Sequence, residues 1–375
     1  MARRWLVRAA HWAVVGSLTW ASSVAAAPGA RKTPKKAPAP KAELPKPVDA
    51  PKEKAEDPEG PFAPKGKTGK LREATTPEPL TGPAEIAPMP DKPGAGGLDL
   101  VFGFGKNGTG DQALEFSVIS FLLGGTYAVT PQLGVRLRIP FATGKVTGAD
   151  APSYNSSTFG NVELAGSYTL EMSESVKLPI ELALAVPTGG GDAFAPSDDR
   201  ASVRRYAVNT AARASRGLEE DALYSPHRLG IVPGVALRYR GGAIQTGAFT
   251  KVPVLIRAGG EDPPGSPPNT PNAVVATINP VVIEWIVGGD FRYAVYKDTI
   301  DVGARAWITL LTAEHFDTNL PGLVTPSKLQ FVIEPQVRGS FGSVRAGLGF
   351  IWPLGGRLGS DQTVNGVRLT AGYVF

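Results

Sequence analysis

Cysteine is absent from the 375 residues. That removes disulfides, thiolate metal sites and thiol catalysis together. Histidine occurs three times; His11 sits in the N-terminal leader, leaving His227 and His315. No G-x-S-x-G nucleophile elbow is present, and the "SPH" of Ser225–His227 falls in a loop, so the parts for hydrolytic catalysis are missing. No uninterrupted run of about 18 apolar residues occurs, which excludes a spanning helix. Helical periodicity is scarce. Charge of one sign is lacking where it would matter: the net +5 belongs to the first 93 residues, and from residue 94 onward 23 basic residues face 24 acidic ones. A nucleic-acid partner therefore has no electrostatic footing.

What is present begins with a leader. Arg3, Arg4 and Arg8 precede the mostly apolar "AAHWAVVGSLTWASSV" and the small-residue stretch "VAAAP". This layout predicts a signal peptide over 1–26 with cleavage after Ala26. From 27 to 96 the composition turns to Pro, Lys, Ala and Glu, with 16 prolines in residues 28–93. Such a segment cannot bury enough apolar surface to offset its ordering entropy, so a disordered periplasmic linker with polyproline II character is expected, its lysines available to cell wall or a periplasmic partner.

Beyond residue 97 the pattern is alternation. "LGVRLRIPF" sets Leu133, Val135, Leu137, Ile139 and Phe141 against Arg136 and Arg138; "NVELAGSYTL", "RLGIVPGVALRYR", "TIDVGARAWITL", "KLQFVIEPQVR" and "VRAGLGFIW" continue it. Period two sustained over most of 280 residues predicts antiparallel strands with one apolar face each. About twelve are expected: 98–105, 114–129, 133–146, 159–170, 177–187, 228–240, 243–257, 280–296, 299–312, 328–340, 343–353 and 364–375. Connections after the even-numbered strands are short and those after the odd-numbered ones mostly longer, the arrangement of a bacterial outer-membrane barrel with both ends on the periplasmic side. In hydrocarbon every backbone amide needs a partner, so such a sheet closes. The expected fold is thus all-β: a closed antiparallel transmembrane barrel over 97–375, its apolar stripe on outer-membrane lipid and its charges inside. Tyr127, Tyr168, Tyr239, Tyr293, Trp352 and Tyr373 near strand ends suit interfacial girdles.

"LLGGTYAVTPQLGVRLRIPF", "GNVELAGSYTL" and "LPIELALAVPTGGGD" resemble the barrel family named for the meta-pathway of phenol degradation and similar transporters. The likeness covers most of 98–375, with Asn161 where that family often has Asp. It implies a transporter or pore for small, aromatic or apolar solutes. Outer-membrane barrels also commonly finish on an aromatic residue read by the barrel-assembly machinery, a pattern that Tyr373 and Phe375 fit.

Thirteen charged residues fall on the predicted inner face: Arg136, Arg138, Glu163, Glu181, Arg228, Arg238, Glu284, Arg292, Arg305, Glu334, Arg338, Arg345 and Arg368. Their arginine excess favours anions or polar aromatics, although in a barrel of about twelve strands most would pair across the lumen. The long stretch 188–227 holds "DRASVRRYAVNTAARASRGLEEDALYS", a helix candidate. A connection of about 40 residues in a compact fold is usually functional or disordered, so two readings stand: a gate, with Arg204, Arg205, Arg213 and Arg216 facing the passage, or a mobile external loop. "GFGKNG" (Gly103–Gly108) matches the dinucleotide signature, but "TGDQALEF" runs into a strand instead of a helix, so its glycines read as a loop rim. Asp198 and Asp199 read as solvated loop acids. Nothing calls for a metal or cofactor. The alternative function is a structural anchor whose active part is the Pro/Lys-rich tail.

Overall fold

The computed structural model describes residues 92–107, 114–148, 151–196, 198–261, 276–296, 299–313, 315–318, 327–359 and 363–375. The expected signal peptide, and all but the last residues of the expected linker, lie outside these.

One antiparallel sheet closes on itself. Its staves, in order around the ring, are β1 (Gly94–Asn107), β2 (Leu114–Ala128), β3 (Leu133–Gly148), β4 (Ala151–Phe159) continued by β5 (Val162–Glu171), β6 (Val176–Val186), β7 (Arg228–Gly241), β8 (Ile244–Lys251) continued by β9 (Val254–Arg257), β11 (Val281–Tyr296), β12 (Ile300–Leu311), β14 (Leu329–Phe341), β15 (Val344–Gly355) and β16 (Asn365–Val374). β16 pairs with β1 from Ala95↔Val374 to Phe104↔Asn365. The ring has twelve staves, and β10 (Ala276–Ile278) with β13 (Phe316–Thr318) forms a separate two-stranded ribbon.

The staves match the alternating segments with two extensions. β1 starts at Gly94, ahead of the expected 98 and of the domain boundary at 97. The fourth stave reaches back to Ala151 because β4 pairs along β3, from Phe141↔Phe159 to Gly148↔Ala151. Two staves are broken. Pro253, which has no N–H for a ladder, separates β8 from β9. Gly160 and Asn161 separate β4 from β5, and there Asn161 N–H donates to Leu223 O at 2.7 Å, a residue of the inserted segment described below.

The faces are inverted relative to a water-soluble domain. Leu123 and Leu164 are each 58% exposed and Trp285 53%, whereas Glu163 is 2% and Arg216 0% exposed. Scattered apolar residues on a surface are ordinary, but a continuous apolar exterior around an ionic interior requires a surrounding apolar phase. Tyr127, Tyr168, Tyr239, Tyr293 and Tyr373 are exposed near the short turns, and Trp352 near the opposite end, the placement of interfacial aromatics.

Between β6 and β7 the chain turns inward. α1 (Arg200–Ser215) begins at Asp199, whose side chain caps it by accepting Ser202 N–H at 3.0 Å; Asp199 is thus a helix cap, a role sequence inspection did not assign it. A 3₁₀ turn (Asp221–Tyr224) follows, and α2 (Gly356–Gly359) is one turn after β15. Every residue from Ala211 to Tyr224 is buried.

Candidate functional site: an inserted segment held by an ionic ring

The segment from Thr188 to His227 enters the barrel because the wall makes room for it. Gly103 and Gly366 are cross-strand partners on β1 and β16. A Cβ on Gly103 would lie 2.0 Å from Ser215 Cβ, and one on Gly366 2.5 Å from Ser215 O. These glycines seat the C-terminal end of α1, so Gly103 and Gly105 belong to β1 and not to a loop rim as the sequence suggested. Past the helix, Gly217 adopts φ 68° and Leu218 φ 60°. The left-handed turn lets Gly217 O accept from Trp307 Nε1 at 3.0 Å. The other end of the insert is tied by Asn161. Its Nδ2 donates to Ala222 O, Ser225 O and Arg228 O at 2.8–3.0 Å, and its Oδ1 accepts Gly189 N–H at 3.0 Å.

Charges fix the middle. Glu219 accepts from Arg305 Nη1 and Nη2 at 2.6 and 2.5 Å, and Lys251 Nζ lies 3.3 Å away. Glu220 accepts from Arg138 at 2.9 Å and from Arg216 at 2.7 Å. Arg216 also donates to Asp99 Oδ2 at 3.0 Å, to Ser120 Oγ at 2.8 Å, and to the Asp99 and Ser120 carbonyls. Wall residues complete the ring. Glu163 bridges Arg136 and Arg138, Glu181 accepts two bonds from Arg136, and Arg368 pairs with Glu334 and Asp99. Six cations (Arg136, Arg138, Arg216, Lys251, Arg305, Arg368) meet six carboxylates (Asp99, Glu163, Glu181, Glu219, Glu220, Glu334). The balance satisfies the condition on which buried ions are tolerated. Glu219 shows the effect: burial pushes its carboxyl up, but Arg305 and then Lys251 override this and hold it down to about 2.

A second group lies toward the short-turn end, where Arg238 and Arg292 converge on Asp290 beside Arg338. A third closes the outer end. Arg213 pairs with Asp221 at 2.9 Å, and His315 Nε2 lies 3.0 Å from Arg213 Nη1 and 3.1 Å from Asp221 Oδ2. Glu284 adjoins Asp221, its ligand atoms, those of Asp221 and those of His315 all lying within 4.8 Å of one another. Arg213 already places a positive charge among them. Arg228 donates to the carbonyls of Leu255, Asn279 and His315.

Of the thirteen charged residues picked from the alternation, twelve have these interior placements. Arg345, half-buried at the turn end of β15, donates from its Nη1 to Gly342 O and Val344 O of its own turn. Of the four arginines in the long stretch, Arg213 and Arg216 are buried inside. Arg204 is exposed and stacks over the Tyr154 ring at 5.3 Å, and Arg205 is half-buried. At the chain end, Tyr373 faces outward, and Phe375 closes β16 on β1 through Phe375 N–H to Gly94 O (2.8 Å) and Gly94 N–H to Phe375 O (3.0 Å). Sequence inspection missed Asp99, Glu219, Glu220, Asp221, Lys251 and Asp290. Asp99 and Asp290 lie at inward positions of alternating strands and were findable by that signal. The acidic run Glu219–Asp221 between Leu218 and Leu223 was a visible counterpart to the inward arginines.

No protein-family model matches the sequence, and no curated protein matches it. Among solved structures, an outer membrane channel from Pseudomonas putida F1 superposes with TM-score 0.52 at 14% identity, covering 79% of this chain and all of that one. The fold is that of an outer-membrane β-barrel. The translocator domain of the autotransporter NalP from Neisseria meningitidis (TM-score 0.43, 10% identity, 76% of this chain and 89% of that one) and the toluene transporter TodX of Pseudomonas putida (0.38, 9%, 76% and 90%) are also similar. Part of the segment 188–227 lies within the barrel, buried without a break from Ala211 to Tyr224.

Proposed function

We propose that this outer-membrane barrel is a channel for small anionic or polar aromatic solutes, closed by its own inserted segment and opened when that segment moves. The observation that carries the reading is the pairing of Glu219 and Glu220 with Arg138, Lys251 and Arg305, three cations from three staves. Such pairs hold the segment inside by contacts that can be exchanged one at a time, beside an apolar seam in which Val208, Leu218 and Leu223 share one buried cluster with Phe116, Leu122 and Leu311 of the wall. When the acids leave, their arginines and lysine stay on the wall, and the passage becomes basic. Arg238, Arg292 and Arg338 near Asp290 add further arginines on the wall beyond the insert. An anion entering a narrow, low-dielectric lumen is favoured by such a field.

The test is single-channel recording of protein lacking residues 200–218. A gate predicts larger and steadier conductance, with a reversal potential favouring anions. Unchanged conductance in a correctly folded deletion would end the proposal. Folding is checked by comparing unboiled with boiled samples on a denaturing gel, since a closed barrel migrates differently before boiling.

A further inference from the structure

The outer end of the insert carries a cluster that the ionic ring does not need. His315 precedes β13 and is buried, as are Arg213, Asp221, Arg228 and Glu284. The imidazole shares its surroundings with Arg213 and Tyr206 from α1, Asp221 from the 3₁₀ turn, Arg228 from β7, Arg257 from β9, Glu284 from β11, and Asp192, His227 and Glu261 from the flanking loops. Its Nε2 meets two groups at once, an arginine N–H at 3.0 Å and a carboxylate oxygen at 3.1 Å. Arginine only donates, so Nε2 must present its lone pair to Arg213 for that contact to be a hydrogen bond. A proton on Nε2 turns the contact into N–H against N–H, and adds a positive charge between Arg213 and Arg228. Compensation is limited to Asp221 Oδ2 at 3.1 Å and the nearby Glu284 carboxylate, since Asp221 Oδ1 is committed to Arg213 at 2.9 Å and to Ser225 Oγ at 3.1 Å.

We propose that this cluster is an acid-operated latch: proton uptake by His315 breaks its contact with Arg213 and releases the outer end of the inserted segment. The inference rests on the gate reading above and adds the signal that opens it. Position makes the latch effective. Arg213 and Asp221 flank the stretch that carries Glu219 and Glu220, so freeing them loosens both ends of the ionic hold. The energetics agree in direction. Burial first, then Arg213, pushes the His315 imidazole down to about 4, with Asp221 offsetting only part. A histidine depressed in the closed state and near 6.5 when released favours closure above 6.5, and loses that contribution as pH falls toward 4.

The experiment records the full chain in planar bilayers from pH 7 to 4.5. A shift from 6.5 to about 4 predicts that the open fraction rises roughly fifty-fold over this range. His315→Gln accepts from Arg213 but cannot charge, and is expected to flatten the response while conductance at pH 7 stays unchanged. His227 is the other histidine at the site, with Nε2 3.7 Å from Asp192, so His227→Gln serves as control and should leave the response intact. A wild-type channel indifferent to pH, or an acid response that survives in His315→Gln, overturns the latch. If His315→Gln fails the gel test, Arg213→Gln, which removes the donor, should open at pH 7 and respond weakly to acid; a full acid response in that variant equally overturns it. A deletion of 200–218 that changes conductance beside a pH-blind wild type would sink the latch and leave the gate standing.

Discussion

Replacing Glu219 by glutamine tests the ionic hold where it is most concentrated. The carboxylate is 2% exposed, and serves Arg305 through two short hydrogen bonds and Lys251 through one at 3.3 Å. Arg305 stacks over Phe249 and Trp307, so its guanidinium cannot swing away to water. Removing one partner of a buried pair costs about 3–5 kcal/mol, chiefly because the remaining cations stay buried without compensation. Almost all of that penalty falls on the inserted state, since an expelled segment leaves both cations in a lumen that fills with water. At about 3 kcal/mol the balance between inserted and expelled segment moves on the order of a hundredfold toward expulsion. Single-channel recording of Glu219→Gln should therefore show long open dwell times at pH 7, and a protease added outside should cut near Arg204 to Arg216. The double variant Glu219→Gln, Arg305→Met strands only Lys251 and should recover part of the closure. A folded Glu219→Gln channel with wild-type dwell times would refute the reasoning, because the acid would then not be what holds the segment.

Three further outcomes follow from other contacts. Gly103→Val should drive α1 from its seat, since even a Cβ there meets Ser215 Cβ at 2.0 Å; overpacking of about 1–3 kcal/mol should appear as raised conductance with the gel shift retained. Asn161→Ala should lower the temperature at which the gel shift is lost, because three carbonyls and the Gly189 amide lose their partner, at about 1–3 kcal/mol; Asn161→Asp should be worse, with a carboxylate facing those carbonyls. The Glu219 carboxyl, held near 2, contributes closure fully above 4.5 and loses it as pH falls from 4.5 toward 2, so His315→Gln channels should stay closed at pH 5 and open only below about 4.

The sequence by itself determined the wall. Alternation is a local property, set by successive side chains pointing to opposite faces, and it placed twelve staves, the exterior apolar belt and the inward arginines. Some pairs were legible too: Arg138↔Glu163 and Arg305↔Glu334 are direct neighbours across adjacent staves. Only the tertiary structure decided what fills the ring. Arg216 meets Asp99 across 117 positions and Arg305 meets Glu219 across 86, separations that no periodicity reports. The seat for Ser215 exists because closure sets Gly103 beside Gly366, from opposite ends of the barrel sequence. Arg204 and Arg213 share a helix, yet one is exposed over the partly buried Tyr154 ring while the other is buried against Asp221, since it is the C-terminal end of the helix that is seated against Gly103 and Gly366.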